Sequence, residues 1–270
     1  KKIFVEPGQS INAAVNDANT LPGDVIIVKP GEYNDSVNVP STKTDIRIVS
    51  EKPLEAILHG AGLPANTNGF TINAVGVQVN GFVIRNFSGH GIQVNQDSAR
   101  LIGNHIKDIE GRGIDITATP DENLIWKNVV HDIGLDGIFS VGCCNLFYEN
   151  EVKNVGGTGI TETFCCSTFY QNHIEQTGST GIQAFDCCNM VVDNVVKDSG
   201  NFGIDTNTQG GDDSIIGNKV IGSANTGINT ANFGFDTIIA NVVSESGGSG
   251  ITVYNDLNVV VNNMIRKNFN

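Results

Sequence analysis

The apolar residues of this chain come in short clusters cut by Gly, Asn, Asp and Ser, and the clusters recur at a fixed interval. Residues 137 to 202 read GIFSVGCCNLFYENEVKNVGGT, GITETFCCSTFYQNHIEQTGST and GIQAFDCCNMVVDNVVKDSGNF, three lines of 22 residues before Gly-Ile returns. That dipeptide sets the register, with Gly at 91, 113, 137, 159, 181, 203, 227 and 250 and steps of 22, 24, 22, 22, 22, 24 and 23. Self-similarity at such a period marks a solenoid whose single units cannot bury a core alone.

Each line holds three apolar clusters of strand length, such as GIF, LFY and EV, and no helical period. The pattern predicts an all-β chain, a single-stranded parallel β-helix in which every strand pairs with its equivalents one coil above and below. Asparagine stands nine residues before each of the last seven glycines, at Asn104, Asn128, Asn150, Asn172, Asn194, Asn218 and Asn241; Asn263 opens a further line, and Phe82 holds the place in the first. An inward asparagine repeated at one turn can satisfy backbone groups of the next coil, so this column is read as structural. The glycine before each Ile permits a turn that a side chain would obstruct.

Ahead of the regular coils, KKIFVE leads through Pro7-Gly8 to SINAAVNDAN, where Ser10 is a good N-cap and Ile11, Ala14, Val15 and Ala18 form one stripe. An open β-helix end exposes core and unpaired backbone, so this helix is expected to cap it. The whole chain, 1–270, is then one domain: 1–24 the first strand and capping helix, 25–80 irregular first coils, and 81–270 regular coils. At the other end MIRKNFN stops in mid-coil, which suggests a continuation, a partner or a short frayed end.

A hydrophobic content of 39% is ample for a core, while a net charge of −13 excludes nucleic acid as a natural partner. It also disfavours an anionic membrane surface. No apolar run is long enough for a transmembrane segment, and the chain as it stands shows no export signal of its own.

The six cysteines are three doublets, Cys143-Cys144, Cys165-Cys166 and Cys187-Cys188, at one place in three consecutive lines. They must form two ladders, with one cysteine of each doublet expected to point inward as a small hydrophobe and the other outward. Stacked small residues, disulfide staples between coils and a soft-metal site for copper or zinc all fit, although the CxxC spacing and His partners of usual metal sites are missing.

The segments SINAAVNDA, PGDVIIVKPGEYNDSVNV, ILHGAG, VGVQVNGFVIRNF and GHGIQV together resemble the opening of right-handed β-helix proteins of the pectate-lyase-like superfamily, nearest in pattern to the NosD-like carbohydrate-binding and sugar-hydrolase group. The resemblance implies a right-handed coil whose first strand begins at Gly-Ile, with the second before the ladder asparagine and the third after it. It spans lyases, hydrolases, epimerases, tailspikes and non-catalytic surface proteins, so it leaves function open.

On the second strand, the outward column is read as Ile102, Trp126, Tyr148, Tyr170, Val192, Ile216, Ile239 and Val261. So long an apolar row should be covered, by self-association into a homo-oligomer or by more of a parent chain; Trp126, Tyr148 and Tyr170 could instead form a sugar-binding platform. The third strand's outer face, with Lys107, His131, Lys153, Glu175, Lys197, His105 and His173, reads as solvated and charge-mixed.

In enzymes of the resembling superfamily the groove lies on the first-strand face and the turn leading into it. Here that face carries Asp115 and Asp205, beside Asn207, Asn229 and Ala231, and the turn carries His90, Arg112 and Asp136 on successive coils. As catalytic candidates, Asp115 or His90 would be the base for β-elimination or epimerisation of a uronate, and Arg112 the charge stabiliser. An exposed ion-pair cluster explains the same four residues. The epimerase DPHD and the pectate-lyase arginine motif are absent, and Asp212-Asp213 follows GHG where a polygalacturonase has the reverse order.

The expectation is an extracellular or cell-surface protein, or a periplasmic one, that binds an acidic polysaccharide along the first-strand groove, with Asp205 among the binding residues, and processes it if the cluster is catalytic. The alternative is a non-catalytic structural or adhesive repeat protein. No cofactor is demanded; Ca2+ is the one ion kept open.

Overall fold

A computed structural model describes residues 1–117, 120–206, 211–230, 234–254 and 257–269. Among these residues the strands form three parallel sheets of 12, 10 and 11 strands, each strand bonded to its equivalents one coil before and after. The ten-strand sheet, from Val37–Val39 to Ile251–Thr252, contains the segments that follow Gly-Ile and is called the first sheet. The second, twelve-strand sheet runs from Lys2–Val5 to Val259–Val261, and the third, eleven-strand sheet from Gly31–Asn34 to Met264–Arg266. No helix among the described residues is long and apolar enough to cross a membrane.

Register explains the recurrence of residue types. Ile114 pairs with Ile138, Ile138 with Ile160 and Ile160 with Ile182, and all four are fully buried. Phe147 stacks on Phe169 in the core, with ring centroids 5.0 Å apart. Each such inward side chain removes enough apolar surface from water to contribute about 1.5–3 kcal/mol.

The asparagine column lies inside. Asn150 Oδ1 accepts both the backbone N–H and the Nδ2–H of Asn128, at 3.0 and 3.1 Å, while its own Nδ2 donates to the Ile125 carbonyl at 2.8 Å. A second inward ladder, unnoticed in the sequence, stands five residues earlier in each line: Asn123, Asn145, Ser167, Asn189, Asp213 and Asp236. Its rungs accept the backbone N–H of the preceding rung, as Asn189 does from Ser167 at 3.1 Å and Asp213 does from Asn189 at 2.8 Å.

The Gly-Ile glycines do not occupy left-handed backbone; close approach requires them. A Cβ on Gly159 would lie 2.5 Å from the Gly181 carbonyl oxygen and 2.5 Å from Ile174 Cγ2. One recurring left-handed position falls immediately before the ladder asparagine, where Lys127, Glu149, Gln171 and Asp193 have φ of 51 to 54°.

The N-terminal cap is a six-residue helix, Ile11–Asn16, whose N-cap Ser10 accepts from Ala13 N at 2.9 Å. Ile11 and Val15 are buried as expected, but the helix ends before Ala18, which is exposed.

The cysteine expectation needs correction, because neither column points into the core. Cys143, Cys165 and Cys187 are half-buried, and Cys144, Cys166 and Cys188 are exposed. The inward place at this turn belongs to Asn145, Ser167 and Asn189, and the left-handed backbone of Cys144, Cys166 and Cys188 breaks the alternation a strand would impose.

Candidate functional site

The turn entering the first sheet stacks Asn68, His90, Arg112 and Asp136 on successive coils, joined by backbone bonds such as Gly91 N to the Arg112 carbonyl at 3.0 Å. Their side chains cap one another's backbone: Asn68 Oδ1 accepts from His90 N at 2.7 Å, His90 Nδ1 from Arg112 N at 3.0 Å, and Asp136 Oδ1 from Thr158 N at 2.8 Å. Asp115, on strand Ile114–Ile116, rises from the sheet toward this column.

The four catalytic candidates therefore meet. Arg112 Nη1 donates to Asp115 Oδ1 at 2.7 Å and Nε to Asp136 Oδ2 at 3.2 Å, and the guanidinium lies 3.5 Å from the centroid of the Phe139 ring. His90 Nε2 is 3.6 Å from Asp115 Oδ2. Arg112 is already engaged by two carboxylates, and the Asp115 side chain is only 3% exposed. Because His90 Nδ1 accepts a backbone N–H, its ring proton sits on Nε2, facing Asp115, and the lone pair a general base needs is in use. Burial holds the His90 pKa below the ordinary imidazole value, partly opposed by Asp115.

A groove of about 540 Å³ opens beside this cluster, lined by Asn68, Ser88, His90, Gln93, Glu110 and Leu135 among others. Amides and a hydroxyl dominate its polar edge, and Leu135 is exposed on its rim. Asp205 lies in the same outward row as Asp115, four rungs further on, about 19 Å at strand spacing, and accepts from Asn229 Nδ2 at 2.8 Å. Asn207 and Ala231 lie outside the described residues.

The aromatic candidates are on another face. Trp126, Tyr148 and Tyr170 point outward from the second sheet and are half-buried. Trp126 stacks on Tyr148 at 6.1 Å and 1°, and Tyr148 on Tyr170 at 5.3 Å and 16°. The rings turn their faces to one another along the coil axis and present edges to solvent, whereas a sugar platform needs an open ring face. Trp126 Nε1 donates to Glu149 at 3.1 Å, and this bond is the leading cause that lowers the Glu149 pKa. On the third sheet, His105 and His131 meet Nε2 to Nε2 at 2.7 Å, and His131 Nδ1 is 2.6 Å from Asp132.

Two acids lie inside the coil, where the sequence reading did not place them. Glu162, fully buried, accepts from Gly142 N, Thr163 N and Phe164 N at 3.2, 2.9 and 3.2 Å and from Asn145 Nδ2 at 3.1 Å; burial raises its pKa. Asp213 replaces an amide in the second ladder, and burial pushes its pKa up to about 8. A polar residue five places before each ladder asparagine from Asn128 to Asn241 was the available signal for Asp213. Among the described residues no group of three or more His, Cys, Asp or Glu is placed to hold a metal ion, so the Ca2+ kept open by the sequence has no ready cage there.

Solved structures resemble this one throughout. The periplasmic alginate epimerase AlgG superposes with a TM-score of 0.61 at 13% identity, covering 98% of this chain and 83% of that one. Pectate lyase Pel9A gives 0.63 at 14% identity, covering 98% and 77%. The catalytic unit of a GH87 α-1,3-glucanase from Streptomyces thermodiastaticus strain HF3-3 gives 0.63 at 13%, covering 96% and 66%. At such identities the likeness is one of fold. No curated protein matches the sequence. A family model described as a right-handed beta helix region matches residues 68–212, more than half of the chain, which therefore belongs to the right-handed β-helix family.

Proposed function

We propose that this chain binds a polysaccharide along the outer face of the first sheet, anchored in the groove beside His90 and Gln93. The observation that carries the reading is the groove's lining, in which Ser88 and the Gln93 amide, whose Oε1 accepts from Asn68 Nδ2 at 3.0 Å, offer donors and acceptors to sugar hydroxyls and Leu135 offers a small apolar surface. The β-helix structures that resemble this fold include proteins named as an alginate epimerase, a pectate lyase and a glucanase.

Binding fits this geometry better than turnover, since the His90 lone pair is in use and Asp115 is covered. A neutral or weakly charged chain also fits better than the acidic one expected from sequence. Two carboxylates answer the single Arg112 guanidinium, and Glu110 borders the groove, so a uronate would meet excess negative charge. The same reading puts the protein at the cell surface, in the extracellular space or in the periplasm, since the structures that resemble this fold include one named as periplasmic.

Affinity electrophoresis through gels containing neutral glucans, pectate or alginate tests this. Retardation by a neutral polymer, weakened in Gln93→Ala, supports the reading; free migration in every gel sinks it. A second reading, assembly through the second sheet, rests on the unbroken outward apolar row from Ile102 to Val261. Light scattering on wild type and Trp126→Lys decides it, and a wild-type monomer removes it.

A further inference from the structure

All six cysteines of the chain sit on one turn of three consecutive coils, outside the core. Cys143 Sγ and Cys165 Sγ are 3.3 Å apart. Cys166 and Cys188 hold equivalent places on adjacent coils, two residues before the paired Thr168 and Met190. Two pairs of equivalent thiols, Cys143 with Cys165 and Cys166 with Cys188, thus bridge adjacent coils, and the first pair is in direct contact. A merely structural use of small residues does not require this placement, because the inward positions at this turn are taken by Asn145, Ser167 and Asn189.

The surroundings select for a cation. The three turns, residues 139–146, 161–168 and 183–190, contain no Lys, Arg or His. Asp121 Oδ1 accepts from Cys143 N at 2.7 Å, and exposed Asp186 immediately precedes Cys187.

The coil geometry then separates two thiol chemistries. Cys144 N bonds to the Cys165 carbonyl at 3.4 Å and Cys166 N to the Cys187 carbonyl at 2.9 Å, which holds equivalent residues side by side at coil spacing. A disulfide wants Cβ atoms about 3.8 Å apart and a dihedral near 90°, which parallel neighbours about 4.8 Å apart supply poorly. Two thiolates flanking one soft ion, each at about 2.3 Å, span at most about 4.6 Å, which the Cys143 and Cys165 sulfurs, 3.3 Å apart, reach by rotating their side chains apart toward the coil spacing. Since among the described residues no three candidate ligands surround a common point, coordination by pairs is the form that fits.

We propose that the cysteine turn binds soft, thiophilic d10 metal ions in two-coordinate sites, one between Cys143 and Cys165 and one between Cys166 and Cys188. Each ion replaces two thiol protons, which are released to solvent as two metal–sulfur bonds form, and no electron is transferred. This site is independent of the saccharide groove.

The test uses the whole chain, reduced with a phosphine under argon and titrated with Ag(I) in chloride-free buffer. Native mass spectrometry should show two ions per chain with two protons lost for each. Cys143→Ser/Cys165→Ser and Cys166→Ser/Cys188→Ser should each retain one, with unchanged far-ultraviolet circular dichroism. If a variant does not fold, alkylation of the wild type with and without Ag(I), followed by peptide mapping, still identifies the protected thiols, and protection confined to those four supports the assignment. Equal uptake by wild type and folded variants overturns it. So does protection spread over all six thiols, or a purified protein in which the sulfurs are already joined as disulfides and no Ag(I) binds.

Discussion

His90 Nδ1 accepts a hydrogen bond of 3.0 Å from the backbone N–H of Arg112, one coil further along the same turn. The bond fixes the imidazole in one tautomer, aims its remaining proton at Asp115 and leaves no basic lone pair for substrate. The residues that look most like a catalytic set are therefore bonded to one another, which makes the neighbouring groove the better candidate for contact with a ligand.

Arg112 is expected to matter for stability more than for binding. Arg112→Met leaves the Asp115 carboxylate covered and without its cation, and should cost about 1–3 kcal/mol, the lower end of buried-pair breakage because the guanidinium is 25% exposed. Urea unfolding measures the loss, while saccharide affinity should change less than tenfold. Unaltered stability with abolished binding would show instead that Arg112 reaches the ligand.

Asp213 should give the fold a pH dependence. Its folded pKa is raised from the ordinary aspartate value, about 3.9, to about 8, so in this window the folded state holds the proton more tightly than the unfolded chain. Its contribution is fully favourable below about pH 4 and is lost as pH rises toward about 8. Asp213→Asn restores the amide found at Asn189 in the rung before. The variant should melt several degrees higher at pH 8 and differ little at pH 4; equal melting temperatures at both values would contradict the assignment.

Gly159→Ala tests the close approach of coils. The added methyl meets the Gly181 carbonyl at 2.5 Å, a backbone atom held by its own ladder, and should cost about 1–3 kcal/mol in denaturant unfolding. A neutral result would mean that neighbouring coils separate more freely than the packing implies.

Tyr148→Ala removes both ring contacts at the centre of the outward ladder and should lower stability by about 1 kcal/mol. Saccharide affinity should not move, because the ring faces are turned to one another; a tenfold loss of affinity would restore the sugar platform.

The fold was legible because a solenoid repeats its evidence. Gly-Ile and Asn104 through Asn241 recur at coil spacing, and one physical reason explains every copy. The Asn123 to Asp236 ladder was equally periodic, but its rungs change from Asn to Ser to Asp, so composition hid what position held constant. The cysteines were misdirected because strand alternation does not apply at a turn where Cys144 is left-handed. The sequence could place His90, Arg112 and Asp136 on one turn beside Asp115 of the adjoining strand, yet hydrogen-bond lengths of 2.7 to 3.2 Å decide whether such groups face a ligand or each other. Ring orientation in the Trp126 column was likewise beyond a pattern that records only inward and outward.

The most direct test of the central claim is calorimetric titration of the full chain with a soluble neutral glucan oligosaccharide, for wild type and for Gln93→Ala/Leu135→Asp. Saturable binding that weakens at least tenfold in the variant is the predicted result. Absence of binding by wild type, or equal affinity in the two proteins, would contradict the assignment of the first-sheet groove as the saccharide site.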